Sequence, residues 1–217
     1  MSARADLTPV VKAYDVRGVV PDQWGTEEAR ALGAATADVL GRPGKPIAIG
    51  HDMRPSSPAL VTAFAEGVMT RGIDVVQIGL CSTDGLYYAS GALDCPGAMF
   101  TASHNPAQYN GIKLCRSGAK PVGQESGLAE IRGRAEGYLN SSIPPAARTG
   151  TSTERATLAD YAGHLRSLVD LSQGRRLLVV VDAGNGMGGH TVPAVLGTAA
   201  GLPELPLQIV PLYFELD

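Results

Sequence analysis

The sequence has 217 residues, of which 44% are hydrophobic and 18% charged, so it has enough apolar material for one globular domain or more. Its net charge of -3 at pH 7 gives no basic surface for nucleic acid or an anionic membrane, which directs the search for ligands to small molecules. No apolar run is long enough for a signal peptide or a membrane span, and the three cysteines fit no disulfide framework, so we expect a soluble cytoplasmic protein with reduced thiols.

Helical and strand patterns alternate along the first part of the chain. The helical patterns cover 26–41, 58–72, 84–91 and 124–139, and the strand patterns cover 46–50, 73–79, 96–100 and 111–116. Such alternation is typical of an α/β layer. The dipeptide Asn110-Gly111 favours a turn, which predicts that the last two of these strands are antiparallel. The sequence therefore predicts a three-layer α/β/α domain with a mixed, largely parallel sheet.

A segment rich in serine, proline, glycine and threonine, residues 140–153, separates this domain from a second unit. The second unit has helical patterns at 153–171 and 191–201 and strand patterns at 175–182 and 207–214. These elements are too few to form an independent core, so we expect the start of a second, similar α/β domain that is cut short. The predicted division is a first domain at 1–143, a linker at 144–153 and the second unit at 154–217.

The second unit also carries Gly184-x-Gly186-x-x-Gly189 between a strand and a helix, which is the pattern of a dinucleotide-binding turn. Such a turn expects an acidic residue at the end of the next strand, but Glu204 precedes that strand. The Asp182 carboxylate at the loop would also repel a pyrophosphate. We favour a turn that packs a helix on a strand, and dinucleotide binding is the alternative.

Polar residues follow the predicted strands of the first domain, at the positions where open α/β sheets place their ligands. Arginine and lysine among them suit a phosphate group, because arginine gives bidentate contacts and lysine gives a mobile charge. The set comprises Tyr14, Asp15, Arg17, Gly18, His51, Asp52, Arg54, Ser82, Thr83, Asp84, Ser103, His104, Asn105 and Lys113. By itself it indicates an α/β domain with an anion site.

Ser103 has the position expected of a nucleophile, in a loop directly after a strand and followed by Asn105 and Pro106. A serine hydroxyl needs a base to take its proton, and His104 or Lys113 could serve. Adjacent residues of an extended segment point to opposite sides, which favours Lys113. The alternative is that Ser103 only forms a turn, and the residues alone leave both interpretations open.

Four separated stretches resemble the α-D-phosphohexomutases, the family of phosphoglucomutases and phosphomannomutases. TASHNP at 101–106, followed by YNGIK, is similar to the active-site serine loop of that family. KAYDVRGVVP at 12–21 resembles its amino-terminal strand, and IGHDMRPSS at 49–57 resembles its arginine-bearing loop after the second strand. VVVDAGNGMGG at 179–189 resembles the start of its second domain, where the glycine-rich turn is structural.

The resemblance implies that Ser103 is a phosphoserine, which exchanges its phosphoryl group with C1 and C6 of a hexose phosphate through a bound hexose 1,6-bisphosphate. It implies that Lys113 handles the proton, that Tyr14 and Arg17 lie beside the phosphoserine, and that His104 contacts the substrate hydroxyls. Asn105 joins Tyr14 and Arg17 in the predicted phosphate-binding set. Mg²⁺ is the implied cofactor, with an oxygen of phosphorylated Ser103 as one ligand, and mannose or glucose phosphates are the implied substrates.

Some features of the sequence favour one subclass of the family, and others depart from the family pattern. AYDVRG and TASHNP, in place of the GTDG-like and SASHNP stretches usual in phosphoglucosamine mutases, favour a phosphomannomutase or phosphoglucomutase. Asp84 stands where the family usually has proline. The family's metal-binding D-x-D-x-D-R loop, sugar-recognition loop and phosphate clamp are absent from these 217 residues. We therefore expect the chain alone to be inactive, and a non-catalytic mutase-like domain is a second alternative.

Overall fold

The computed structural model describes residues 5–217, which form two sheets and six α-helices. The strands are β1 (Val16–Val19), β2 (Ile47–His51), β3 (Val75–Leu80), β4 (Gly97–Phe100), β5 (Tyr109–Arg116), β6 (Lys120–Pro121), β7 (Ser152–Glu154), β8 (Leu177–Asp182) and β9 (Leu207–Leu212). The helices are α1 (Thr26–Leu40), α2 (Ser57–Thr70), α3 (Thr83–Ala92), α4 (Leu128–Asn140), α5 (Leu158–Leu168) and α6 (Gly188–Val195).

The main sheet has the strand order β1-β5-β4-β2-β3-β7, with β6 paired to β5. β2 pairs in parallel with β3 and β4, and β3 pairs in parallel with β7. β5 is antiparallel to both β1 and β4, so within this order it alone runs against the other strands. The topology confirms the predicted mixed, largely parallel sheet and the predicted antiparallel pairing of the strands on either side of the serine loop.

Helices cover both faces of the main sheet. On one face α1, α2 and α4 pack against a core that includes Ile49, Phe100 and Ile112. On the opposite face Leu86 of α3 belongs to a second buried cluster with Met99. Met99 and Phe100 are neighbours in β4 and face opposite layers, as the alternation of side chains along a strand requires. The sheet is the middle of three layers, which confirms the predicted α/β/α architecture.

Helices α1 and α2 approach each other through glycines. A Cβ atom on Gly33 would lie 2.1 Å from the carbonyl oxygen of Phe64, and a Cβ atom on Gly67 would lie 2.0 Å from the carbonyl oxygen of Arg30. Glycine alone allows backbones this close. Phe64 then packs edge-on against Phe100 of β4, with the ring centroids 5.4 Å apart. The glycine contact therefore sets how closely this helix pair lies on the sheet.

Two local predictions in the first domain are wrong. Asn110 and Gly111 lie inside β5 rather than in a turn, because Asn110 is buried and donates a hydrogen bond to the Ser57 hydroxyl at 3.0 Å. A Cβ atom on Gly111 would lie 2.2 Å from the Val16 carbonyl oxygen, so glycine is needed there for strand contact. The helix predicted at 124–139 is interrupted, because Gly127 has a φ of 136° and α4 begins only after it.

The predicted linker also contains regular structure. Residues 152–154 form β7, an edge strand that pairs in parallel with β3. The helix that follows covers Leu158–Leu168 and is shorter than the predicted 153–171. The polar, glycine-containing linker sequence can form this edge strand because an edge strand makes backbone hydrogen bonds to one neighbouring strand only. The domain boundary itself stays a prediction.

The second unit contains α5, α6 and the parallel pair β8 and β9. Leu178 and Val180 of β8 are 65% and 59% exposed, so this small sheet buries little of its apolar surface. Tyr88 of α3 joins the two units, because its ring centroid lies 5.8 Å from that of Tyr161 and 5.2 Å from that of His164. No helix within residues 5–217 is both long and apolar enough to cross a membrane.

The glycine contact between α1 and α2 predicts a stability change. We expect Gly33→Ala to lower the free energy of unfolding by about 2 kcal/mol, because the added methyl group forces the two helices apart. Gly133→Ala is the control, since a Cβ atom at Gly133 of α4 meets no atom within 4 Å, and we expect it to raise stability by about 0.5 kcal/mol. Urea unfolding of both variants measures the difference. Equal stability of the two variants would contradict the close helix contact.

Candidate active site

Ser103 lies in the exposed loop that joins β4 to β5. Its backbone φ is 54°, in the left-handed region that serine seldom adopts, and its amide donates a hydrogen bond to the Thr101 hydroxyl at 2.9 Å. The chain therefore turns at Ser103 instead of continuing as an extended segment. Ser103 and His104 therefore do not lie in an extended segment, and the prediction that they point to opposite sides of a strand was wrong. Both residues are exposed.

A buried carboxylate, Asp15, organises two cations on the strands beside this loop. Asp15 is 6% exposed, and its Oδ2 accepts hydrogen bonds from Arg17 at 2.7 Å and from Lys113 at 3.3 Å. Arg17 pairs with Gly111 across β1 and β5, so Asp15 continues the register opposite Lys113. The three side chains therefore share one face of the sheet. One carboxylate between two cations leaves the cluster with excess positive charge, which suits an anionic ligand.

Asn105 connects this cluster to the serine loop. Its Oδ1 accepts a hydrogen bond from Arg17 at 3.3 Å. The structure thus brings together three residues predicted from the sequence, Arg17, Asn105 and Lys113, next to the loop that carries Ser103. His104 has no hydrogen-bond partner among the described residues, and its exposed side chain is free to contact a ligand.

Tyr14 directly precedes Asp15 of the cluster. It is 78% exposed, and a Cβ atom on Gly123 would lie 3.3 Å from its ring. Tyr14 lines a shallow surface pocket together with Pro121 and Gln124. None of the hydrogen bonds in the described part of the chain joins Tyr14 to Ser103. The role of Tyr14 beside the phosphoserine, which the family resemblance implies, stays a prediction.

Asp15 and Arg54 belong to the polar set that predicted an anion site, but neither of them had an individual role assigned from the sequence. Asp15 bridges the two cations, and Arg54 lies beneath the serine loop with its side chain 9% exposed. The spacing of two between Asp15 and Arg17 is a signal that could have indicated an ion pair on one face of a strand. Asp52 and Arg54 have the same spacing, which could have indicated their ion pair, but the carbonyl groups that Arg54 binds lie far along the chain and gave no signal.

The cysteines do not compete with Ser103 as nucleophiles. All three are free and buried. Burial raises the pKa of Cys81 to about 12, and burial also raises the pKa of Cys95 and Cys115 above the usual value. A thiol must be deprotonated to attack, so these groups are inert at neutral pH. Ser103 is therefore the exposed nucleophile candidate of this site.

The residues of this chain do not fit a magnesium site by themselves. Mg²⁺ requires near-octahedral oxygen ligands, of which one or two are usually carboxylates. Asp15 is the carboxylate of the cluster, and Arg17 and Lys113 already engage it. Within residues 5–217 no group of three or more acidic, histidine or cysteine side chains is arranged to hold a metal ion. A phosphate on Ser103 would supply one ligand of an incomplete set.

The glycine-rich turn of the second unit has local structural roles. The Gly184 amide donates a hydrogen bond to the Asp182 carboxylate at 2.9 Å, so an anion of the protein already occupies a donor that a pyrophosphate would need. A Cβ atom on Gly189 would lie 2.0 Å from the Phe214 carbonyl oxygen. That glycine is required where α6 meets the segment after β9. These contacts favour the helix-packing interpretation over dinucleotide binding.

Comparison with known families assigns the first domain. A family model described as phosphoglucomutase/phosphomannomutase, alpha/beta/alpha domain I, matches residues 8–140, which is more than half of the chain. The chain belongs to this family. The resemblance found in the sequence is thereby confirmed, and the serine loop and the Asp15 cluster both lie inside the matched segment.

Relatives of the phosphoglucomutase/phosphomannomutase family also cover the second unit. The chain is 39% identical over 210 residues to phosphohexose mutases of Xanthomonas campestris pv. campestris, a match that covers 96% of this chain and 44% of the relative. It is 41% identical over 202 residues to a phosphomannomutase of Escherichia coli, which covers 91% of this chain and 44% of the relative. The chain thus spans less than half the length of these relatives.

A solved structure of the same family has a similar fold. The crystal structure of a phosphoglucomutase/phosphomannomutase family protein from Burkholderia thailandensis matches with a TM-score of 0.79 and 28% sequence identity. The match covers 96% of this chain and 44% of that protein. Both sheets of this chain therefore have counterparts in a longer family member.

The Asp15 cluster predicts the effect of neutralising its carboxylate. We expect Asp15→Asn to lower the free energy of unfolding by about 1–2 kcal/mol, because Arg17 and Lys113 then repel each other without a counterion. Asp22→Asn is the control, since Asp22 is exposed and has no ion pair among the described residues; it should leave stability unchanged. Urea unfolding at low salt tests both variants. An unchanged Asp15→Asn midpoint would show that the carboxylate does not hold the two cations.

Proposed function

We propose that the whole protein is a phosphohexomutase, which moves a phosphoryl group between C1 and C6 of a hexose phosphate through a phosphoserine at Ser103. Membership of the family supports the reaction class. The names of the relatives, phosphohexose mutases and phosphomannomutase, support mannose or glucose phosphates as substrates. The observation that carries the proposal is an exposed serine in a left-handed turn beside the Arg17 and Lys113 cations.

The transfer consists of two displacements of opposite direction. In the first, a sugar hydroxyl oxygen forms a bond to phosphorus as the bond from phosphorus to Ser103 Oγ breaks, which yields a bound hexose 1,6-bisphosphate. The sugar hydroxyl gives its proton to a base, and the serine oxygen ends protonated. The sugar then reorients, and the other phosphate returns to Ser103. The bisphosphate is therefore both the intermediate and the compound that phosphorylates an empty enzyme.

The cations of the site complement the negative charge of the phosphoryl group that this reaction transfers. A phosphoserine carries roughly −1.5 to −2 charges at neutral pH, and the oxygens around phosphorus share negative charge in the transition state. Arg17 and Lys113 lie beside the serine loop and stabilise that charge, and Asn105 helps to orient Arg17. Lys113 is the candidate for the proton-handling residue, and His104 for contact with substrate hydroxyls.

Tyr14 and Mg²⁺ complete the proposed machinery. Tyr14 is exposed next to Gly123, and its proposed role is contact with the phosphoserine. Mg²⁺ is proposed for the whole enzyme, where it supplies divalent charge at the transferring phosphoryl group. Ser103 would offer it a phosphate oxygen, and its carboxylate ligands would come from elsewhere in the whole protein, because Asp15 is engaged by two cations.

The phosphoserine proposal has a direct test in the whole protein. We expect mass spectrometry to find phosphate on Ser103 after incubation with hexose 1,6-bisphosphate. Ser103→Ala should abolish this phosphate and lower mutase turnover by at least about a thousandfold, because it removes the hydroxyl that is proposed to carry the phosphoryl group. Ser56→Ala is the control for loss of a nearby hydroxyl and should retain the phosphate on Ser103.

Two results would contradict the phosphoserine proposal. A Ser103→Ala enzyme that keeps its rate excludes the phosphoserine mechanism. A whole protein with neither phosphoserine nor turnover supports a non-catalytic domain instead.

The chain of 217 residues alone should not turn over. We expect a bisphosphate-dependent mutase assay on this chain to give background rates, since its described residues form neither a metal site nor the sugar-binding loops that the family resemblance implies. The same assay on the whole protein is the positive control. Robust turnover by the isolated chain would show that this site needs no further residues.

A further inference from the structure

Arg54 is the most extensively bonded side chain of the site. It lies between β2 and α2, with its side chain 9% exposed. Its Nη1 donates to the carbonyl oxygens of Pro106 at 2.8 Å and Tyr109 at 2.9 Å. Its Nη2 donates to the carbonyl oxygens of Ser103 at 2.9 Å and Asn105 at 2.7 Å. One guanidinium group therefore holds three carbonyl groups of the serine loop and one at the start of β5.

The remaining donor of Arg54 is also used. Its Nε donates to Asp52 Oδ2 at 3.2 Å, and the Arg54 amide donates to Asp52 Oδ1 at 3.1 Å. Asp52 is fixed in turn, since its Oδ1 accepts a hydrogen bond from the Ser57 hydroxyl at 3.1 Å and its amide donates to the Phe100 carbonyl oxygen at 2.9 Å. A guanidinium group has five N–H donors. All five are satisfied within the protein, so none is left for a ligand.

This geometry separates Arg54 from the other cations of the site. Arg17 and Lys113 are about one-third exposed and share a single carboxylate, whereas Arg54 is buried and saturated. We propose that Arg54 does not bind substrate phosphate but is a positioning residue that holds the serine loop in its reactive conformation. This inference rests on the phosphohexomutase function proposed above.

The conformation that Arg54 holds is one that the loop would not keep by itself. Serine in the left-handed region costs of order 1 kcal/mol or more, and Ser103 has a φ of 54°. The carbonyl groups of Ser103 and Asn105 on either side of His104 point to the same Nη2. The guanidinium group offsets the backbone strain and fixes the direction of the Ser103 side chain relative to Arg17 and Lys113.

Lysine cannot replace arginine in this position. An ammonium group has three donors at one point, whereas the planar fork of arginine spreads five donors over two edges. Arg54→Lys therefore keeps the positive charge but gives up several of the carbonyl contacts. The substitution separates the two roles, because a residue that served only through its charge would tolerate the exchange better than a clamp on the backbone.

The kinetic test uses the whole protein and compares Arg54→Lys with wild type. We expect kcat to fall about 100-fold, because a displacement of the nucleophile by about an ångström costs that much. We expect KM for the hexose phosphate to stay within about threefold, because Arg54 makes no contact with substrate. Arg134→Lys is the matched control, since Arg134 pairs with Glu130 on the surface of α4, and both constants should be unchanged.

A second measurement does not depend on the proposed function. Hydrogen–deuterium exchange of the 217-residue chain should become at least about tenfold faster across 103–109 in Arg54→Lys, while β2 and β4 keep their protection. If Arg54→Lys does not fold, Asp52→Asn is used in both measurements. Asp52→Asn weakens the contact of the Arg54 guanidinium group with residue 52. It should lower kcat and speed the loop exchange in the same direction as Arg54→Lys, but by less.

The outcomes distinguish this inference from the proposed function. A rise in KM of tenfold or more with unchanged kcat would identify Arg54 as a phosphate ligand and overturn the inference. Unchanged exchange across 103–109 in a folded variant would overturn it as well. A wild-type protein without turnover or phosphoserine would refute the phosphohexomutase proposal alone, and faster loop exchange in Arg54→Lys would then still establish the clamp.

Discussion

A charge removed from water needs partners inside the protein, and the site is built around two charges that meet this requirement differently. Asp15 and Arg54 are both at least nine-tenths buried. An isolated ion in such a place would cost several kcal/mol. Asp15 is compensated by cations that remain about one-third exposed, so its surroundings stay electropositive. Arg54 is compensated by backbone carbonyl groups, so its surroundings become rigid. The first arrangement attracts an anion and the second fixes the loop that would carry it.

The direction of β5 makes both arrangements possible. Because β5 runs antiparallel between β1 and β4, Lys113 lies opposite Met99 on one side and continues toward Asp15 on the other. The loop that carries Ser103 is the connection between β4 and β5, so it emerges at the same edge. A parallel pair would have needed a crossover helix and would have separated these residues. One antiparallel strand in a sheet of parallel strands thus brings the serine and the cations together.

The helices behind the sheet support this edge. Gly33 and Gly67 let α1 and α2 touch through their backbones, which sets how closely α2 lies against α1. Ser57 at the start of α2 accepts a hydrogen bond from Asn110 in β5 and donates one to Asp52, the anchor of Arg54. Packing of the core and position of the serine loop are therefore connected through a few buried polar residues. A different contact joins the second unit to the first domain, the tilted packing of the Tyr88 ring against Tyr161 and His164.

The sequence by itself determined the α/β architecture and the family, because hydrophobic periodicity and a run such as TASHNP depend on residues that are close along the chain. It also predicted the antiparallel strands around the serine loop, but from a turn that the structure does not contain. It misread Asn110-Gly111 as a turn, since the preference of a dipeptide was outweighed by buried hydrogen bonds to α2. Only the tertiary structure showed which groups Arg54 binds. The carbonyl groups that it holds lie about fifty residues away, and a guanidinium group can donate to phosphate or to carbonyl oxygens, so packing decides which of them it meets.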